Sequence, residues 1–445
     1  MKKLLTLTLA LTLCAFGAHA DCARMERVPA ETLDLQSVIE FALCRNPNTA
    51  ASFYGVRQAR MQRYGGMAAY LPTIDASVSA RQQYRRGEWS DTMTGASLSA
   101  SWLIFDFGRR ESEMMALNSI WRATGLEHSS AVQNFIFDII SAYYGLLIAN
   151  AEVASANEML SVARAAKSAA DTRFRAGAVA RADVLRADTT LAQRQLELQR
   201  AQGTQSIARG RLLFLMSFPQ DGELNIADMP LEFGARAEQR NISEMIEYAV
   251  GRRGSIRARE EQMNAAWHRR NAAFLRNMPS ISVAGTLSYD FNPDFDMFGA
   301  GPNNRFDGSS ISIRASMPIF TGFAATNNIR AMDAAYEQSR ERLRAQRDNV
   351  ALDIWQAYQN YITALQVLES SDALLASSIE SERVVAGMYR VGRADMLAWQ
   401  TAQADLTNAQ RQNITARYDL FVRRAGLALA MGEIHREMGI TIRTD

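Results

Sequence analysis

Phe174-Arg175-Ala176-Gly177 returns 215 residues later as Tyr389-Arg390-Val391-Gly392. At the same offset Asp138-Ile139 matches Asp353-Ile354, Ala142-Tyr143 matches Ala357-Tyr358, Phe105 matches Phe320 and Leu191 matches Leu406. One offset shared over so long a span marks an internal duplication, and a duplication decides the architecture before any single element does. Toward the N-terminus the offset is 207: Leu71-Pro72-Thr73-Ile74 matches Met278-Pro279-Ser280-Ile281, and Ile39-Glu40 matches Ile246-Glu247. The difference between 207 and 215 places a change of loop length between Pro72 and Phe105.

Outward from the glycine turns, each copy reads in one order: a short helix, a longer helix, two alternating strands, a very long helix, the turn, and a second long helix. The first repeat covers 21–215, with strands at about 72–84 and 94–106 and long helices at about 108–175 and 181–215. The second covers 241–432, with strands at about 280–291 and 309–320 and long helices at about 322–388 and 394–430. Residues 216–240, with Pro219, Gly222, Pro230 and Gly234, form the linker, and 433–445 form a C-terminal tail. Asp34 and Asn241 stand as N-caps of the first helix of each copy, Glu244 completing a capping-box spacing in the second.

In the first copy Ile74, Ala76, Val78 and Ala80 alternate with Thr73, Asp75, Ser77 and Ser79, and Ala96, Leu98, Ala100 and Trp102 alternate with Ser97, Ser99 and Ser101. The second copy repeats this with Ile281, Val283, Gly285, Leu287 and Tyr289, then with Ile311, Ile313, Ala315, Met317 and Ile319. Period two with one apolar and one polar face fits a membrane barrel strand, and a soluble sandwich shows it as well. Aromatic residues at the strand ends favour the barrel: Tyr84, Trp89, Phe105 and Phe107, then Phe291, Phe295, Phe298 and Phe320. Closed membrane barrels start at about eight strands, so four strands require further copies of the chain.

From Gly108 to Arg175 there is no proline, which allows one helix of roughly 65 residues, about 100 Å long. Val132, Phe135, Ile139, Ala142, Leu146, Ala149, Val153, Ala156, Leu160, Ala163, Ala170 and Phe174 keep a three-four spacing broken only by Lys167. That is a coiled-coil seam, and its alanines let helices pack closely side by side. A dimeric cytosolic coiled coil shows such a seam too, but accounts for neither the strands nor the N-terminus.

Lys2 and Lys3 precede an apolar run from Leu4 to Phe16, then Ala18-His19-Ala20. This is the order of a signal peptide over 1–20, and the run is shorter than the roughly 20 residues of a membrane anchor. Cys22 and Cys44 then remain in an oxidising compartment, either as a disulfide or as two thiols. Lys+Arg number 49 against 47 Asp+Glu, and nothing in that balance points to nucleic acid. Beyond the leader no unbroken apolar run reaches 18 residues; Phe135 to Ala149 comes nearest and carries Asp138. A membrane crossing is therefore expected to use strands. His128, His268 and His435 lie far apart, without metal-ligand spacing or a nucleophile motif, so neither enzyme, metal nor cofactor is expected.

These residues resemble the TolC-like outer-membrane channel family over nearly the whole mature chain. The matches are Ala42-Leu43-Cys44-Arg45-Asn46-Pro47, Leu71-Pro72, Ile104-Phe105-Asp106-Phe107-Gly108-Arg109, Pro318-Ile319-Phe320-Thr321-Gly322, and Phe174-Arg175-Ala176-Gly177 through Asp183-Val184-Leu185. The resemblance implies a mainly α-helical chain with membrane β-strands, and a homotrimer whose twelve-stranded β-barrel continues into a periplasmic α-helical barrel. It implies an outer-membrane duct for a tripartite efflux pump or type I secretion system, in contact with outer-membrane lipid, a periplasmic adaptor and an inner-membrane transporter. A non-conducting structural or adhesive protein of the envelope is the alternative.

The resemblance also places adaptor docking at the helical tips, here Gly177, Ala178, Gly392 and Arg393, and a pore gate beside them. Asp183 and Tyr389 fit the gate pattern. The basic partner expected at 394 is alanine with Arg393 next to it, and the acidic ring expected at 398 and 401 is replaced by Ala398 and Thr401. Asp395 is then the candidate for the acidic role. Asp183 and Asp395 also suit a plainer role as acids at helix N-termini.

Overall fold

The computed structural model describes residues 32–82, 84, 85, 87–89, 93–227, 241–291 and 308–434. The signal peptide, Cys22 and with it the pairing to Cys44, linker residues 228–240 and tail residues 435–445 lie outside the described residues. The chain divides into two compact units, one of Tyr54–Glu127 with Ser255–Gln346, the other of Met1–Phe53 with His128–Gly254 and Arg347–Asp445.

The chain is mainly helical. In the first copy α1 is Leu35–Arg45, α2 Pro47–Met67, α3 Arg109–Arg175 and α4 Arg181–Leu215; in the second α5 is Ile242–Arg252, α6 Gly254–Leu275, α7 Ala324–Arg390 and α8 Met396–Met431. Helices α3 and α7 have 67 residues each, about 100 Å at 1.5 Å per residue. An 18-residue window of α3 is apolar enough on average to cross a bilayer, a looser criterion than an unbroken apolar run. As 56% of that window is buried inside the protein, it has the character of a core helix.

In the first unit, β1 (Thr73–Arg81), β4 (Met93–Phe105), β5 (Ser280–Phe291) and β6 (Gly308–Ser316) form one antiparallel sheet in the order β1-β4-β5-β6. A two-residue hairpin, β2 (Tyr84–Arg85) with β3 (Glu88–Trp89), caps the β1–β4 connection, so the first strand ends at Arg81 and not near residue 84. The register aligns the alternations. Val78, Ala96, Tyr289 fall in one row, Ala76, Leu98, Leu287 in the next, and Ile74, Ala100, Gly285, Ile311 in another. One face is therefore apolar across the four strands apart from Thr94, opposite Ala80 and Phe291, and Ser309, opposite Leu287. On the other, hydroxyls pair across strands, Thr73 Oγ1 with Ser101 Oγ at 2.7 Å and Ser77 Oγ with Ser97 Oγ at 2.8 Å.

The last strand also ends early, at Ser316 instead of about residue 320. Ser316 lies opposite Ser280, the first residue of β5, so the chain beyond it has no neighbour on that side. Pro318 in addition offers no N–H to a ladder.

A buried ion pair fixes the passage from β4 into α3. Asp106 Oδ2 accepts from Arg110 Nε at 3.2 Å and from the Arg110 backbone N–H at 3.0 Å. The rest of the guanidinium donates to the carbonyls of Leu103 (2.7 Å), Ala69 (3.0 Å) and Ile104 (3.0 Å). Phe107 and Gly108 turn through positive φ, at 56° and 86°, to make the corner. The second copy has Thr321 and Ala325 at the equivalent places, where Thr321 Oγ1 accepts the Ala325 N–H at 3.1 Å.

In the second unit, Val38 and Ile39 of α1 pack with Ile136, Ile139, Ile140 and Tyr143 of α3 and with Leu212 and Leu213 of α4. Asp34 caps α1 by accepting the Ser37 N–H at 3.0 Å, and hydrogen bonding from the Ser37 side chain, then from that N–H, holds its carboxyl below the usual range; Asn241 caps α5 through the Ser243 N–H at 3.1 Å. Leu33 and Ile226 pair as a parallel bridge, and the Tyr143 hydroxyl donates to the Ala227 carbonyl at 2.7 Å.

Candidate functional site: the helical tip

In the second unit the ends of α3 and α7 turn back into α4 and α8 through matching loops. At Gly177 (φ 72°) the Ala178 N–H reaches the Arg173 carbonyl at 2.9 Å, and at Gly392 (φ 75°) the Arg393 N–H reaches the Met388 carbonyl at 2.8 Å. Both are left-handed C-terminal turns that glycine adopts without strain. Gly177, Ala178, Gly392 and Arg393 are exposed.

Alanine is what brings the four helices close here: Ala166, Ala170 and Ala187 are buried with Met396, and Val184, Tyr389 and Trp399 pack against them. Tyr389 stacks on Trp399 with ring centres 5.0 Å apart and 20° between planes, and the Arg173 guanidinium lies 4.8 Å from its centroid. Trp399 Nε1 donates to Glu382 at 3.1 Å. Tyr389 is thus held within its own chain, between residues that sequence reasoning did not single out.

The acids are held locally as well. Asp395 is the N-cap of α8, its Oδ1 accepting the Ala398 N–H at 2.7 Å. Asp183 lies in the first turn of α4, 3.9 Å from Arg186, and makes no side-chain cap at Ala180. No hydrogen bond or ion pair joins any two of Asp183, Tyr389, Arg393 and Asp395 within the chain.

Lys167, which breaks the apolar seam, ties α3 to α4. Its Nζ is 2.6 Å from Asp171 Oδ1 and 3.3 Å from Asp188 Oδ1. The hydrogen bond to Asp171 raises the ammonium above its ordinary value, ahead of the opposing cost of burial. Gln400 Nε2 donates to Thr190 Oγ1 at 3.0 Å, tying α8 to α4. The seam break was the signal in the sequence for Lys167; nothing marked Arg173, Trp399 or Asp188. The tip therefore presents exposed turns, an exposed arginine and two acids at helix N-termini on a packed four-helix end.

Residues 38–217 and 245–433 match the family described as outer membrane efflux protein, once for each copy of the repeat. Protein CyaE of Bordetella pertussis is 25% identical over 419 residues, which span 92% of this chain and 86% of that one. A pyoverdine export outer membrane protein, OpmQ of Pseudomonas putida, is 23% identical over 419 residues, spanning 89% and 84%. The solved structure of the outer-membrane channel OprN superposes with a TM-score of 0.78 at 19% identity, over 93% of this chain and 95% of that chain.

Proposed function

The chain belongs to the outer membrane efflux protein family, and on that footing we propose that it is the exit duct of a tripartite efflux pump or type I secretion system. It lies in the bacterial outer membrane, with a large helical part in the periplasm. The observation that carries this reading is the sheet: one face is apolar across four strands but for Thr94 and Ser309, and β1 and β6 end it without a further strand among the described residues. A lipid-facing sheet must close on itself, since an open edge leaves backbone groups unpaired in hydrocarbon. Three copies supply twelve strands, an even number within the range of membrane barrels.

The helices of three copies then form a periplasmic helical barrel, and the tips form its entrance. Exposed Gly177, Ala178, Gly392 and Arg393 are the surface offered to a periplasmic adaptor, through which the inner-membrane transporter delivers substrate. Asp183, Tyr389, Arg393 and Asp395 line the entrance, where three copies of each acid favour cations over anions. Purified protein in a planar bilayer should give discrete channel conductance, and chemical cross-linking should give a ladder that stops at three. A ladder stopping elsewhere, or a trimer without conductance, would overturn the reading in favour of a non-conducting envelope protein.

A further inference from the structure

The duplication fixes how one copy joins the next, at the level of individual residue pairs. Moving 207 residues along β1 gives β5, and moving 215 along β4 gives β6. Applied to the β1–β4 ladder, the two offsets turn Thr73↔Ser101 into Ser280↔Ser316, Asp75↔Ser99 into Ser282↔Arg314 and Arg81↔Met93 into Ser288↔Gly308. All nine pairs of the β1–β4 ladder map onto the nine observed between β5 and β6 without a slip. Even the hydroxyl contact of Thr73 with Ser101 has its counterpart in Ser280 with Ser316, at 3.2 Å between oxygens.

The β4–β5 ladder is left over, and its image joins β6 to the β1 of another copy. Resting on the trimer reading above, we infer that β6 of one copy pairs antiparallel with β1 of the next in the register Ser316↔Ser77, Ala315↔Val78 and Arg314↔Ser79. These are the images of Ser101↔Ala284, Ala100↔Gly285 and Ser99↔Thr286. Parity holds: Ala315 and Val78 meet on the apolar face and the other two pairs on the polar face, where a slip of one residue would set apolar against polar throughout.

The same register accounts for the early end of β6. In the first copy β4 runs on to Phe105 because Trp102, Leu103 and Phe105 pair with Val283, Ser282 and Ile281. The images of those partners, Ala76, Asp75 and Ile74, sit on the next copy. So Met317, Ile319 and Phe320 are 55%, 95% and 74% exposed in a single chain, and Val78 and Ile74 on β1 are 84% and 68% exposed. Pro318 falls beside the image of the irregularity at Leu103–Phe105, where a ladder tolerates a missing donor.

The competing register is a slip of two residues, which keeps parity and brings Arg314 diagonal to Asp75, so charge alone would choose it. Cysteine pairs separate the two. With Ser316→Cys and Ser77→Cys in one chain, oxidation in outer membranes should move most of the protein into a covalent, reductant-sensitive trimer, and Arg314→Cys with Ser79→Cys should do the same. Ser316→Cys with Asp75→Cys should link several-fold less. Stronger linkage of that last pair overturns the register. Failure of every pair while amine cross-linking of the same variants still gives trimers overturns the β6–β1 junction and leaves the trimer standing. Amine cross-linking that finds only monomers overturns the trimer reading itself.

Discussion

Arg110 ties the end of β4 to the start of α3 through one buried carboxylate and three carbonyls. Its side chain is 8% exposed and that of Asp106 7%, and removing one partner of a buried pair costs about 3–5 kcal/mol because the other is left charged and unpaired. Arg110→Met should therefore lower the temperature at which the assembled protein loses its structure, and Arg110→Lys should not restore it, since an ammonium cannot span three carbonyls and a carboxylate at once. An unchanged melting curve for Arg110→Met would show the junction to be held by packing alone. His128 makes a second case: Ser52 Oγ lies 2.7 Å from its Nδ1, Phe53 meets its ring edge-on, and burial holds the imidazole below its usual value. The unfolded chain takes up a proton near pH 6.5 while the folded chain resists until the pH is lower, so stability falls as the pH drops through that window. His128→Asn should lose less melting temperature than the native chain between about pH 7.5 and 5.5; equal losses would mean that other groups set the slope. The caps at Asp34 and Asn241 were legible in the sequence because their partners, Ser37 and Ser243, are two or three residues away. The partners of Arg110 were not, since Ala69 reaches it only once the strands are in place.

Among the elements, the long helices announce themselves by what is missing, a run without proline that ends at a glycine with positive φ. Strand faces announce themselves by alternation, and the register turns that alternation into one apolar surface. That surface can be tested directly. Leu98 lies between Ala76 and Leu287 on the apolar face, and its neighbour Ser99 lies between Asp75 and Thr286 on the other. Leu98→Arg should cost about 2–4 kcal/mol if the site is near the bilayer midplane, and Ser99→Arg little. The amount of heat-resistant assembled protein in outer membranes measures both, and equal amounts would mean that the faces are wrongly assigned. Strand ends were less legible than strand faces. Alternation from Ile311 continues through Ile319, but a strand extends only as far as it has a neighbour, and among the described residues the ladder of β6 stops at Ser316 opposite Ser280.

At the scale of the molecule, the duplication reveals the architecture because each half must solve the same problem, a strand pair joined to a helix pair, while the tips show what the duplication hides. Both glycine turns are legible from Phe174-Arg175-Ala176-Gly177 and its echo, yet Lys167 and Trp399 have no equivalents in the other copy, where those positions are Glu382 and Val184. The proposed entrance depends on such asymmetry, and Asp395 poses the sharpest question there because it already has work as a helix cap. Asp395→Ala removes the cap and the charge together, with about 1 kcal/mol of local stability at stake, so a change in conductance would not say which loss mattered. Asp395→Asn separates them: asparagine accepts the same Ala398 N–H but carries no charge. If three copies of Asp395 ring the opening, Asp395→Asn should weaken cation preference in a planar bilayer as much as Asp395→Ala does, and high salt should erase the difference from the native channel by screening. If instead Asp395→Asn conducts and selects like the native protein while Asp395→Ala does not, the carboxylate is a cap and the charge of the entrance lies elsewhere.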